Sequence, residues 1–96
     1  MTATEEQIKS WKERYGEVYR ISVKDKSAYF HKPSRQTLGY AQMAGRENPI
    51  KVMEAMMSGC WIDGDPEIKT DDELFLSVGQ KLDKLIEIEE AELEKL

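Results

Sequence analysis

Cysteine and histidine are almost missing from this 96-residue chain: Cys60 and His31 each occur once. A single cysteine closes no internal disulfide and suits a reducing compartment. One Cys and one His fall short of the four ligands of a structural zinc site. A Cys–His nucleophilic pair also needs an activated thiol and an orienting group. Cys60 lies between Gly59 and Trp61, a setting that reads as a small buried side chain. His31 reads as a strand-surface residue. Glycines occur singly, so no phosphate-cradling loop forms. Apolar runs are also short, none approaching the roughly 20 residues of a membrane span. Residues 1–7 have neither the basic start nor the apolar core of a signal peptide. The expectation is a cytoplasmic, non-enzymatic protein without cofactor, metal or membrane partner.

Positive charge is in short supply too. The net charge of −5 argues against a general nucleic-acid binder, which needs a basic footprint to release counterions. Arg20, Lys24, Lys26, Lys32 and Arg35 do cluster around Tyr29 and Phe30, a small candidate nucleic-acid patch. Solvated strand edges whose charges deter aggregation explain them more simply. The charge is lopsided: residues 1–60 carry 10 basic and 7 acidic side chains, residues 61–96 carry 4 and 12. Such asymmetry marks either an interaction surface or a solvated acidic helix.

What is present describes one small domain of residues 1–96. Thr4-Glu5-Glu6-Gln7 is a capping box, followed by Ile8, Trp11 and Tyr15 at helical spacing and by Gly16 as a stop. Val18-Tyr19-Arg20-Ile21-Ser22-Val23 alternates, and after Lys24-Asp25-Lys26 comes Ala28-Tyr29-Phe30-His31-Lys32; this predicts a β-hairpin. Two strands alone are marginal in water, so the first helix must cover one face or another chain must extend the sheet. Pro33 ends the second strand. Ser34 caps a helix to about Ala44, with Leu38, Ala41 and Met43 inward. Asn48-Pro49 starts another, with Ile50, Met53 and Met57 on one stripe and Val52 and Met56 beside it. Residues 60–69 read as a connection anchored by Trp61. Thr70-Asp71-Asp72-Glu73 is read as a second capping box. Phe75, Val78, Leu82, Leu85 and Glu89 then follow at spacings of 3 and 4, predicting a helix from about residue 71 to 94. The expected fold is α+β, mainly helical (about four helices), with one N-terminal hairpin and residues 71–96 as an amphipathic arm.

Asp63, Asp65 and Glu67 occupy the first, third and fifth positions of a calcium loop. Ile68 stands where that loop needs Gly, and Leu74 where it needs a bidentate Glu. The acidic stretch is therefore read as a polar turn leading into a helix.

The order of these features resembles a known family. Lys32-Pro33-Ser34-Arg35 after a short hairpin, then Glu54, Cys60-Trp61-Ile62-Asp63-Gly64-Asp65, Asp72-Glu73-Leu74-Phe75 and Ile86-Glu87-Ile88-Glu89-Glu90-Ala91-Glu92-Leu93 resemble the short tail-assembly chaperones of long-tailed phages and prophages. The resemblance spans about residues 16–96 and rests on structural motifs. It implies a small cytoplasmic protein that self-associates. It also implies that the protein holds the tape measure protein soluble until tail-tube protein polymerises around it. On that reading the candidate partner-binding residues are Met53, Met56, Met57, Phe75, Val78, Leu82 and Leu85, offering apolar stripes to a helical client. Trp11, Cys60 and Trp61 are the structural anchors. The alternative is a small oligomeric adaptor of a mobile element without chaperone activity.

Overall fold

The computed structural model describes residues 2–86 and 91–96. The protein is α+β, with five α-helices and a three-stranded antiparallel sheet among the described residues. The first helix, α1 (Glu5–Tyr15), is capped as its sequence predicts. Thr4 Oγ1 accepts from Gln7 N–H at 3.1 Å, and Gln7 Oε1 accepts from Thr4 N–H at 2.9 Å. Gly16 closes it at φ 84°, in the left-handed region that glycine enters without a Cβ penalty.

The hairpin consists of β1 (Val18–Val23) and β2 (Lys26–His31), with Ile21 opposite Ala28 and Tyr19 opposite Phe30. Its turn has only two residues, and Lys24 takes φ 55°. A third strand corrects the expectation of a lone hairpin. β3 (Trp61–Gly64) pairs antiparallel with β2, which thereby becomes the central strand. The sheet is extended from within the chain. Residues 61–64 escaped notice because four residues followed by Asp65-Pro66 look like a turn.

Both faces of β2 are covered. Ala28 and Phe30 point into the core, and Ile21 and Val23 of β1 pack against it. On the opposite face α1 lies over Tyr29: the Trp11 ring stands 5.2 Å from it, and Tyr29 Oη accepts from Ala3 N–H at 3.1 Å. Double coverage makes Ser27, Ala28, Tyr29 and Phe30 a continuous buried run, as in a strand enclosed on both sides.

Ser34 caps α2 (Arg35–Gly45), and Asn48 caps α3 (Pro49–Cys60), which carries Pro49 in its first turn. The α2 prediction needs one change: Ala41 is buried, but Met43 lies on the outer side, 71% exposed. α3 turns Ala55, Met56, Met57 and Cys60 inward. A single turn, α4 (Glu67–Thr70), buries Ile68. α5 (Asp72–Leu82) buries Leu74, Val78, Gly79 and Leu82. Its cap is Asp71, whose Oδ1 accepts from Leu74 N–H at 3.0 Å, and not Thr70 as its sequence suggested.

The helix predicted to run to residue 94 stops far short. α5 gives way to a 3-10 turn, Asp83–Leu85, and residues 91–96 have no regular structure; 87–90 lie outside the described residues. The physical reason is visible in composition. Glu90 and Glu94 would repel at i, i+4, and Glu87, Glu89 and Glu92 would crowd negative charge towards a helix C-terminus that favours cations. Residues 72–85 are thus a core element rather than the start of a projecting arm.

Candidate functional site

Residues 61–65 tie the two halves together. Asp65 Oδ2 accepts from Ser27 N–H at 2.9 Å, and Asp65 N–H donates to the Ser27 carbonyl at 3.0 Å. Asp63 Oδ1 accepts from Gly64 N–H at 2.9 Å, and Glu67 lies 3.9 Å from the Lys26 ammonium. The three carboxylates of the calcium-like loop therefore point to separate protein partners. Among the described residues no group of three His, Cys, Asp or Glu is placed to hold a metal.

Cys60 is fully buried, and burial pushes its thiol up to about 11, away from the thiolate needed for attack. His31 sits on β2 with its ring stacked on Tyr15 at 4.6 Å, and its Nδ1 lies 2.8 Å from the Lys32 carbonyl. Among the described residues no hydrogen bond joins Cys60 to His31.

The partner-binding residues expected from sequence divide sharply. Met56, Met57, Val78 and Leu82 are buried in the core. Met53 is half-buried, filling the space beside Gly79 where α3 crosses α5. Only Phe75 and Leu85 reach surface grooves. Of the three anchors, Cys60 is buried, Trp61 meets Phe30 edge-on at 5.6 Å, and Trp11 is half-buried against Tyr29.

A different apolar surface is offered. Two open grooves flank the outer ridge of α3. The first, about 500 Å³, lies between α2 and α3 and includes Tyr40, Ala44, Lys51 and Ser58. The second, about 530 Å³, lies between α3 and the α4–α5 corner and is formed by Ile50, Lys69, Asp72, Phe75 and Leu76. Glu54 borders both. Ile50, Glu54 and Ser58 follow at i, i+4 spacing, which stacks them on one helix face. Tyr40 is 67% exposed, Ile50 45% and Leu76 41%. The Lys69 ammonium lies over the Trp61 ring at 4.1 Å, a cation–π contact that fixes the groove's basic rim.

Tyr40, Ile50 and Leu76 were not picked out as binding residues. For Tyr40 and Leu76 the available signal was a position off the buried stripe: Tyr40 beside the inward Leu38–Ala41 pair, and Leu76 immediately after Phe75. Ile50 shares the stripe of Met53 and Met57 and is exposed because it lies in the first turn of α3. An apolar residue on the solvent side of an amphipathic helix is the feature to search for. Chemically, the surface offers apolar patches with charges of both signs at the rim, suited to a segment that is itself amphipathic.

No family model, curated protein or solved structure matches this chain. Among the described residues no helix is long and apolar enough to cross a membrane.

Proposed function

We propose that this chain is a non-enzymatic tail assembly chaperone of a long-tailed phage or prophage. In this reading it acts in the host cytoplasm, binding the tape measure protein and keeping it soluble while tail-tube protein assembles. The observation that carries the reading is the pair of open grooves astride the α3 ridge, with Tyr40, Ile50 and Leu76 exposed on them. The resemblance of the chain's residue order to the short tail-assembly chaperones supports it. A long helical client presents its apolar face repeatedly, so several copies seated along it gain by multivalency without tight single contacts. Their negative charge keeps the coated chain dispersed.

The test is co-expression with the tape measure protein, measuring how much of the client stays in the soluble fraction. The parent is expected to hold it there and co-purify. Ile50→Asp/Leu76→Asp, placed on exposed side chains, is expected to release the client while melting near the parent temperature. A parent chain that forms oligomers yet leaves the client insoluble is an adaptor and overturns the proposal.

A further inference from the structure

A third groove, about 310 Å³, lies where the outer edge of β1 meets the end of α5. Tyr19, Ile21 and Leu85 give it apolar walls; Arg20, Lys81 and Lys84 give it three cations and line it with no carboxylate. None of these three cations enters an ion pair among the described residues. β1 is also an edge strand, with one row of backbone donors and acceptors unused by the sheet. The last ten residues are strongly acidic, with Glu87, Glu89, Glu90, Glu92 and Glu94 against a single Lys95. In that stretch Leu93 and Leu96 are fully exposed.

We infer that the acidic C-terminal segment of one copy docks in this basic groove of a second copy. Leu93 covers the Tyr19–Ile21–Leu85 wall, and Glu92 and Glu94 reach Arg20, Lys81 and Lys84. A second copy is the occupant because the exposed residues 91–96 of the same chain carry the negative charge and the leucines that the groove's basic and apolar lining complements. The exchange is reciprocal, so two copies close into a pair without an open end. Opposite charges set the register, and salt weakens them.

Sedimentation of the full chain tests this. Self-association is expected to weaken at least about tenfold from 0.1 M to 1 M salt, as the screening length shrinks from about 10 to 3 Å. Lys81→Glu/Lys84→Glu and Glu92→Lys/Glu94→Lys should each be monomeric alone. Their equimolar mixture should form a heterodimer, because each segment then meets a groove of opposite sign. Lys81→Gln/Lys84→Gln gives a milder check on the same groove should the reversal perturb folding. A monomeric parent, a dimer indifferent to salt or to these changes, or a mixture that stays monomeric overturns the inference. The first of these outcomes, a monomeric parent, is what docking within one chain produces.

Discussion

Gly64→Ala offers the sharpest test of how the sheet is closed. Gly64 lies directly across from Ala28 on the central strand. A Cβ at residue 64 would stand 2.5 Å from the Ala28 Cβ, 2.6 Å from its Cα and 2.9 Å from the Ser27 carbonyl oxygen. Two of those three atoms are backbone, so no rotamer change relieves the clash, and β3 must move away from β2. Overpacking of this kind costs about 1–3 kcal/mol. A domain of this size loses roughly 4–8 °C per kcal/mol, so melting followed by far-UV circular dichroism should fall by roughly 5–20 °C. Adding Ala28→Gly removes only the 2.5 Å contact. In a double-mutant cycle the Gly64→Ala penalty should therefore shrink without vanishing. Gly79→Ala is the control: its new Cβ would meet the flexible Met53 side chain, Sδ at 2.9 Å, and regain up to about 1 kcal/mol of helix propensity. A Gly64→Ala protein melting within about 2 °C of the parent would show that β3 is not packed as described.

Three further outcomes are expected. Lys24→Gly should stabilise the protein by about 1 kcal/mol in urea unfolding, because residue 24 holds φ 55°. The Lys24–Glu73 pair it removes is largely exposed and worth at most about 1 kcal/mol. Ser34→Ala should cost about 1 kcal/mol, since Ser34 Oγ accepts from Thr37 N–H at 3.1 Å at the start of α2; Ser34→Asp should recover most of it. The Cys60 thiol is raised from 9.0 to about 11 in the fold, so the unfolded chain loses that proton first as pH rises. Its contribution is complete below pH 9 and lost through pH 11, and over that window the parent should lose up to about 3 kcal/mol more unfolding free energy than Cys60→Ala. Equal slopes for the two proteins would refute the burial argument.

Local chemistry was legible wherever a side chain acts within three or four residues of itself. The Thr4–Gln7 box, the Ser34 and Asn48 caps and the Gly16 stop all form as their sequences predict. Alternation revealed β1 and the hairpin. It did not reveal that β2 is central, because enclosure on two faces erases the contrast between neighbours. β3 was hidden by its brevity, since pairing with a strand far back in the chain leaves no local pattern. The end of α5 was overrun because the apolar spacing continues past Leu82 while the acidic run opposing a helix is a separate, electrostatic signal. Periodicity also misdirected the search for a site. The apolar stripes of α3 and α5, with Met56, Met57, Val78 and Leu82, are regular because they are core, whereas the exposed grooves draw on Tyr40 and Leu76, which lie off the pattern, and on Ile50 at the exposed start of its stripe.

The position of β3 also bears on biosynthesis. Its partner residues Ala28 and Gly64 are about 36 residues apart, so closing that loop costs about 2–3 kcal/mol more entropy than the two-residue hairpin turn. On a ribosome adding roughly 5–20 residues per second, β2 therefore waits about 2–7 s between its own synthesis and the arrival of its second neighbour. During that interval the strand destined to be the most enclosed in the protein has a bare inner edge. Lys26 at its start and Lys32-Pro33 just beyond its end are the residues that guard a nascent edge against pairing with another chain.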